Sequence, residues 1–521
     1  MTRGRTLRRP AGHLLLALLA AGLVGCATPA AAPEPTVSAT AAPPAATLPD
    51  PTPLPTATLP PARSTESAVS SPTPEAPLNQ LGPWLLFTAG GHGGSPAGLY
   101  AVNPDGTGLT QLAEANVLPG IVPSPQGDRA VYLASGEGAE RSTRTLMMIA
   151  APGWQPREIG VVFPPGPDAP GGDAEARALA LDAVQSSAPV WSSRGTHLAF
   201  VSAAGGSSDL YVYPLFAGQA VRLSTEEGQA AHPQWSPGGR WIAYRVLDST
   251  GAEPGQPPAD ALWVAAADGA VVRLLAEAAP PAGDVRAVAV GWGGPNTLQV
   301  AQKGVTTSSV CPYADIWAVD VAARGRITLH AGDFAGAAVD PLTGVALVAA
   351  NAADGCTGPD GLMIYRPDLP SARIAAAAEL GGAVQSVRWN ESLDRFEVLV
   401  GAPGSPPGAV LWVGLDGRIQ QMAAPPDLLV APSPDGTWTA LYTPQAGGDL
   451  DGLWVGRGDD LPQPVFDGGV DRVLWHPDSS GLFFLQAQSD RALWLARAPS
   501  FVPVPVTNDL QITFAVWLGG G

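Results

Sequence analysis

A strand-like segment recurs along the chain from about residue 84, each time as an aliphatic residue followed by an aromatic residue or methionine. Its nine copies are spaced 40 to 64 residues apart, which is typical of one unit of four short strands. The pattern therefore predicts about nine antiparallel four-stranded units. The nine pairs are Leu99-Tyr100, Leu146-Met147, Leu210-Tyr211, Leu262-Trp263, Ile316-Trp317, Leu362-Met363, Leu411-Trp412, Leu453-Trp454 and Leu493-Trp494.

A second marker precedes most of these pairs: a strand that ends in tryptophan or an equivalent residue, followed by a tight turn. Clear copies of the turn are Ser236-Pro237-Gly238-Gly239 and Ser433-Pro434-Asp435-Gly436, and Ser124-Pro125-Gln126-Gly127 is a looser copy. Proline presets φ for a turn, and glycine adopts backbone angles that other residues resist. Each unit is therefore expected to have a tight turn after its first strand.

The tryptophans follow the same period, since fourteen of the 15 fall at three repeat positions and Trp154 is the exception. Two interpretations are open. Exposed indoles would form a platform for stacking carbohydrate, whereas buried indoles would pack one unit against the next. The regular spacing favours packing, because each aromatic side chain buries a large apolar area.

The Trp-Ser-Pro-(Asp/Gly)-Gly turn, followed by a Leu/Ile-Tyr/Trp-Val strand and an Asp-Gly turn, resembles the repeat of TolB-like (WD-repeat-like) β-propellers. Segment 103–112, Asn-Pro-Asp-Gly-Thr-Gly-Leu-Thr-Gln-Leu, is particularly similar to that repeat. The resemblance covers roughly residues 84–518 and implies an all-β fold, a single β-propeller of about eight to nine four-stranded blades. It says little about function, because such repeats serve both as binding platforms and as accessory domains of peptidases.

The two ends of the repeat region are complementary. The first unit begins at its second strand, residues 84–88, and lacks a first strand. Residues 510–517, in contrast, have the pattern of a first strand but are not followed by the other strands of a unit. Pairing the two would close the ring and remove open sheet edges. Two smaller propellers are disfavoured, because only these outermost ends complement each other.

The N-terminus carries four arginines and then an apolar run, residues 14–24, that is too short to span a bilayer. Its end, Leu23-Val24-Gly25-Cys26, resembles the lipobox of bacterial lipoproteins, which implies lipid attachment at Cys26 after cleavage. The alternative is an ordinary signal peptide with an incidental cysteine. The pair Arg8-Arg9 suggests export by the twin-arginine pathway, but the Pro10 that follows it favours the general secretion pathway.

These features divide the chain into a lipoprotein signal peptide (1–25), a disordered tether rich in proline, alanine and threonine (26–80) and the propeller (81–521). The tether contains 14 prolines and too few large apolar residues to fold, so an extended stalk is expected. The lipid is the expected membrane attachment, because no other apolar run reaches 18 residues. The predicted location is the cell envelope, on the extracytoplasmic side.

The charge balance argues against nucleic-acid binding. The chain has 28 basic and 46 acidic residues, a net charge of −18, and removal of the four leader arginines makes it −22. A chain of this charge is repelled by nucleic acids and by anionic lipid surfaces.

Two classes of loop are long: those between units and those between second and third strands. In an antiparallel blade both classes project from one rim, which is where binding loops on a rigid scaffold usually lie. A protein or glycan ligand is therefore expected on this long-loop rim, although the insertions could also be without function. The loops are rich in acidic residues. We interpret these as solvated surface charge rather than as a binding site for a cationic ligand or calcium. They include segments 163–182, 248–260, 304–315, 351–361 and 443–451.

Cys311 and Cys356 fall in the same loop class of neighbouring units. In an oxidising compartment a disulfide between adjacent blades is the natural interpretation. Two free thiols are the alternative.

No catalytic, cofactor-binding or metal-ligating residues are predicted. The five histidines after the leader are scattered, and no Gly-x-Ser-x-Gly elbow, phosphate loop or dinucleotide fingerprint occurs. The favoured function is a non-catalytic binding or scaffolding propeller. The alternative is a propeller-type hydrolase of extracellular glycan or peptide, with carboxylates from different blades meeting at the central channel.

Overall fold

All described residues belong to one compact unit, Ala57–Gly521. The computed structural model describes residues 77–519 except 92–96, 115–116, 137–142, 164–173, 206, 225–227, 249–258, 276–284, 305–312, 351–360, 392, 403–408, 424–427, 445–451, 459, 488–490 and 508–509.

The described part is almost entirely β-structure, with one α-helix, α1 (Ala174–Ser186), and a single 3₁₀ turn at Ala377–Glu379. Numbered along the chain, the strands are β1 (Trp84–Gly91), β2 (Gly98–Val102), β3 (Thr110–Glu114), β4 (Val117–Pro123), β5 (Arg129–Ser135), β6 (Arg144–Ala150), β7 (Arg157–Phe163), β8 (Val190–Trp191), β9 (His197–Ser202), β10 (Asp209–Pro214), β11 (Val221–Arg222), β12 (Gln229–Trp235), β13 (Trp241–Asp248), β14 (Ala259–Ala266), β15 (Val272–Leu274), β16 (Val285–Trp292), β17 (Thr297–Gly304), β18 (Tyr313–Asp320), β19 (Arg326–Val339), β20 (Ala346–Ala350), β21 (Gly361–Arg366), β22 (Leu369–Ala375), β23 (Ala383–Asn390), β24 (Arg395–Gly401), β25 (Ala409–Gly414), β26 (Ile419–Ala423), β27 (Leu429–Pro432), β28 (Trp438–Tyr442), β29 (Leu453–Arg457), β30 (Gln463–Phe466), β31 (Val470–Trp475), β32 (Gly481–Gln486), β33 (Leu493–Arg497), β34 (Pro503–Pro505) and β35 (Leu510–Leu518).

The strands form nine four-stranded antiparallel blades of a β-propeller, and neighbouring strands of a blade are consecutive in the chain. Blade 1 combines β35 with β1, β2 and β3, and blades 2, 3 and 4 contain β4–β7, β8–β11 and β12–β15. Blades 5 and 6 together contain β16–β22, and blades 7, 8 and 9 contain β23–β26, β27–β30 and β31–β34. The fold predicted from the repeats is confirmed, with nine rather than eight units.

Blades 5 and 6 share one long strand, β19. Its first part, up to Phe334, pairs with β18 as the fourth strand of blade 5. Its second part, from Phe334 onward, pairs with β20 as the first strand of blade 6. No loop separates these two blades, so their seven strands form one continuous sheet.

The ends of the repeat region pair as expected. β35 runs antiparallel to β1, from Trp84 opposite Leu518 to Gly91 opposite Leu510. Ile512 and Leu518 are completely buried in this closing blade. One blade is thus completed by both ends of the repeat region, which removes the open edges that sheets otherwise present.

The first strand of each blade lines the central channel. First strands of adjacent blades contact each other, as β35 does β4 and β19 does β23. Fourth strands lie at the perimeter, where Ile327 is 71% and Val221 53% exposed. Exposed side chains on first strands therefore border the channel rather than the outer surface.

The recurring serine explains the tight turns after first strands. In the turn after β12, the Gly239 amide donates to the Ser236 carbonyl at 2.8 Å, and the Trp241 amide donates to Ser236 Oγ at 3.1 Å. Gly239 adopts φ +66°, which a side chain would oppose. Ser433 accepts from Gly436 and Trp438 in the same way, so the motif fixes one rim as a set of short turns, the tight-turn rim.

The tryptophans that end first strands hold neighbouring blades together. In four of them the indole N–H donates to a backbone carbonyl in the first strand of the preceding blade, which satisfies a buried donor. This supports the packing interpretation over a sugar-stacking platform. The pairs are Trp191 to Val122 at 3.2 Å, Trp235 to Val190 at 2.9 Å, Trp292 to Gln234 at 3.2 Å and Trp475 to Ala431 at 2.9 Å.

Helix α1 corrects the expected long loop over residues 163–182. The helix occupies Ala174–Ser186 and buries Ala180, Ala183 and Val184 against blades 2, 3 and 4. Its alanine- and leucine-rich sequence has strong helix propensity. The prediction that residues 163–182 are a long loop was therefore wrong from Ala174 onward.

The described chain enters the ring at the tight-turn rim. Asn103, in the turn after β2, is buried, and its side chain accepts from the Asn79 amide at 2.8 Å and donates to the Pro77 carbonyl at 3.1 Å. The Trp84 indole donates to the Asn79 carbonyl at 3.0 Å, and Trp154, the tryptophan outside the repeat, packs edge-on against Trp84. Contact with the ring therefore begins before the predicted boundary at residue 81.

Candidate binding site in the central channel

Several sequence-based predictions lie outside the described residues. Cys26, Cys311 and Cys356 are among them, so lipidation at Cys26 and the Cys311–Cys356 bridge stay predictions. The tips of most long loops, 249–258 and 351–360 for example, also lie outside. The described strand ends show that these loops all leave from one rim, opposite the tight turns.

Charge is distributed unevenly on the channel-lining strands. The nine first strands carry three arginines and one aspartate: Arg286, Arg388, Arg472 and Asp471. The whole chain, in contrast, has 28 basic and 46 acidic residues. The first strands of blades 2 to 6 otherwise consist mostly of alanine, valine, glycine and proline, so charged groups concentrate on blades 7 to 9.

Arg472 is the central cation of this region. It lies on β31 and is exposed, and its guanidinium carbon lies 5.2 Å from the centre of the Phe514 ring on β35. This cation–π contact holds the guanidinium at the channel surface. Within the described part of the chain, Arg472 forms no ion pair with a carboxylate.

Tyr442, the last residue of β28, lies beside this arginine. It packs against the apolar cluster between blades 8 and 9, which contains Val470 and Trp475. Burial raises the pKa of Tyr442, the positive charges of Arg472 and Arg388 lower it in part, and Asp471 raises it further. Both arginines and the aspartate are therefore close enough to act on one hydroxyl group.

The remaining charges of the region are paired. Arg388 on β23 is 65% exposed and forms an ion pair with the buried carboxylate of Glu397 on the neighbouring strand β24. Asp471 Oδ2 lies 3.9 Å from Arg491 Nη2. Of the three arginines named here, Arg472 is the one without a carboxylate partner among the described residues.

We refer to Arg388, Tyr442, Asp471, Arg472 and Phe514 as the arginine wall. Tyr442 ends β28 just before the long loop 443–451, and Asp471 and Arg472 lie near the start of β31, after the short connection 467–469 on the same rim. These three residues therefore lie near the long-loop rim, whereas Arg388 lies closer to the tight-turn end of β23. A planar guanidinium with five N–H donors binds carboxylate or phosphate in a forked geometry. The arrangement is therefore suited to an anionic ligand.

A cavity of about 550 Å³ lies on the opposite, tight-turn rim between blades 1 and 9. Its polar groups already serve the turns. Asp105 accepts from the Thr107 amide at 3.0 Å, and Asp478 accepts from the Ser480 amide at 2.8 Å and pairs with His476. Burial alone would raise the pKa of Asp105, but the Thr107 hydrogen bonds and the charge of Arg497 lower it overall. Because these carboxylates already accept hydrogen bonds within the turns, this cavity has fewer polar groups available to a ligand than the arginine wall has.

The described residues contain no group of three or more histidines, cysteines or carboxylates placed to hold a metal ion. In the same part of the chain, no helix has the length and apolar character needed to cross a bilayer.

The arginine wall was not predicted from the sequence, although the sequence contains one signal of it. β31 reads Val-Asp-Arg-Val-Leu-Trp, and adjacent charges inside a first strand break the apolar pattern of the other copies. The sequence alone could not show that Tyr442, Arg472 and Phe514 meet, because they come from three different blades.

The topology defines a β-propeller protein. No family profile matches the chain, and no curated protein sequence matches it. Among solved structures, the chain is similar to a eukaryotic initiation factor (12% identity, TM-score 0.49, 84% of this chain and 98% of that one). It is also similar to dipeptidyl peptidase 4 from Porphyromonas gingivalis (12%, TM-score 0.45, 75% and 59%) and to TolB from Acinetobacter baumannii (12%, TM-score 0.32, 76% and 68%). At this identity the likeness concerns the fold alone.

Proposed function

We propose that this chain is a non-catalytic binding or scaffolding propeller, held on the extracytoplasmic side of a membrane by lipid on Cys26. Its ligand contacts the channel mouth on the long-loop rim, at the arginine wall. The anchor rests on the lipobox-like sequence Leu23-Val24-Gly25-Cys26, and the binding role rests on the channel.

The observation that carries the binding role is Arg472. An exposed arginine on a channel strand, without a carboxylate partner among the described residues, is unusual in a chain of net charge −18. In contrast, Arg222 at the perimeter pairs with Asp209 at 2.8 Å. An exposed cation that no described carboxylate neutralises can pair with an anionic group of a partner.

The experiment is capture from envelope extract on the immobilised full chain, with a glycan array in parallel. We expect a specific partner that the wild type retains and Arg472→Gln loses. Arg418→Gln is the matched control, because Arg418 is 92% exposed and pairs with Asp416 in a turn on the opposite rim. If the wild type captures no molecule specifically, the binding role is wrong. If the captured molecule is cleaved by the wild type, the protein is a hydrolase instead.

The anchor is tested separately by metabolic labelling with a fatty acid and by membrane fractionation. The wild type is expected to take up label and to sediment with membranes, and Cys26→Ser is expected to do neither. Label on Cys26→Ser, or sedimentation unchanged by the substitution, would exclude lipidation at this residue.

A further inference from the structure

We infer that the arginine wall recognises an acidic peptide segment of a partner protein, one that carries a carboxylate next to an aliphatic side chain. This inference rests on the proposed binding function and names the chemistry of its ligand.

The carboxylate requirement comes from Arg472 and its surroundings. Its guanidinium lies over the Phe514 ring and the residue is exposed, and no described carboxylate competes with an anionic ligand for it. Arg388 on blade 7 and Arg472 on blade 9 flank Tyr442, which belongs to blade 8. The charges of both arginines act on the Tyr442 hydroxyl.

The aliphatic requirement comes from Leu429. It begins β27, lies directly opposite Tyr442 in the β27–β28 pair, and is 41% exposed. A channel-lining strand thus presents a partly exposed leucine beside Tyr442 of the arginine wall. A ligand that covers Leu429 while pairing with Arg472 must carry apolar and anionic groups side by side, as a peptide with glutamate and leucine does.

An acidic glycan fits the same wall less well. Sugars bind proteins largely by stacking on open aromatic faces, and Phe514 is already covered by Arg472 and packs against the apolar cluster between blades 1 and 2. Tyr442 is likewise packed against the cluster between blades 8 and 9. The aromatic residues of the wall hold the arginine in place and leave the leucine as the apolar contact.

The test is fluorescence polarisation with the full chain and a labelled hexapeptide of alternating glutamate and leucine. The comparison probes are the matched glutamine–leucine and glutamate–serine peptides and a uronate oligosaccharide of similar length. We expect the glutamate–leucine peptide to bind most tightly. Arg472→Gln should weaken its binding about tenfold or more, because a charge-assisted hydrogen bond is lost.

Two further variants make the result specific. Leu429→Ser should weaken binding of the glutamate–leucine peptide about threefold or more and leave the glutamate–serine peptide unchanged. Arg418→Gln, on the opposite rim, should leave every affinity unchanged. Thermal unfolding of each variant shows whether a loss of binding reflects a loss of fold, and Arg472→Lys, which keeps the charge without the forked geometry, provides a second variant if Arg472→Gln does not fold.

The outcomes separate this inference from the proposed function. Tighter binding of the uronate, or equal binding of the glutamine–leucine peptide, overturns the acidic-peptide ligand while a captured partner still supports the binding role. Equal affinity of wild type and Arg472→Gln for the glutamate–leucine peptide overturns the arginine wall as its site. Failure of capture from envelope extract, in contrast, overturns the binding function itself.

Discussion

Closure of the ring by β35 can be tested with a matched pair of isoleucine substitutions. Ile512 on β35 is completely buried in the cluster that contains Phe87, Leu485 and Leu493. Ile327 on the outer strand of blade 5 is 71% exposed. Replacing each by alanine makes the same chemical change in the closing blade and at the perimeter.

The expected difference follows from burial. Isoleucine to alanine removes three carbons, worth about 0.8 kcal/mol each when fully buried, and the cavity left behind adds to the cost. We expect Ile512→Ala to lower the free energy of unfolding by about 3 to 5 kcal/mol. Ile327→Ala should lower it by less than about 1 kcal/mol, because little apolar area is lost and only strand propensity changes.

The assay is urea unfolding followed by tryptophan fluorescence, with hydrogen exchange to locate the effect. In Ile512→Ala, the amides of β1 and β35 should lose more protection than those of β13, because opening of the closing blade exposes both strands. Equal costs for the two substitutions would refute the reasoning. So would a loss of protection spread evenly over the ring, since closure would then not depend on this strand pair.

Three further predictions concern buried charge, pH and redox state. Asp209 is buried and accepts hydrogen bonds from Ser224 Oγ and Arg222 Nη2, both at 2.8 Å, so Asp209→Ala should lower the free energy of unfolding by about 2 to 3 kcal/mol. The control is Asp416→Ala, in an exposed turn pair, which should lower it by less than about 0.5 kcal/mol; similar costs of the two substitutions would contradict the prediction. Burial lowers the pKa of His330, with Asp333 and Asp315 offsetting part of the shift, so wild type should lose stability as pH falls below about 6.5, by at most about 1.4 kcal/mol per pH unit. The unfolded state binds the proton first, so His330→Gln should flatten this part of the stability profile, and parallel profiles would exclude the effect. In denatured protein, Cys311 and Cys356 should resist alkylation until a reductant is added, and labelling of both without reductant would exclude the disulfide.

The repeat made the fold predictable because its signals are local. The Ser-Pro turns, the tryptophan positions and the complementary ends at residues 84 and 510 each depend on a few neighbouring residues, and the structure confirms their roles. Trp235, for example, both ends a first strand and donates to Val190 of the blade before it.

The features that sequence analysis missed depend on context. β19 serves two blades because the connection between them is itself a strand, which no turn signal marks. Helix α1 was hidden inside a segment interpreted as a loop, although its alanine and leucine content favoured a helix. The arginine wall depends on which first strands are adjacent in space, and side chains on β28, β31 and β35 meet only after the ring has closed.

The attachment of Pro77 and Asn79 to Asn103 has a topographic consequence. The first described residues therefore join the ring on the tight-turn rim. Arg472 and Leu429 lie near the opposite rim, so a ligand that binds them would approach the face away from this junction and would not compete with the chain at residues 77–79 for space.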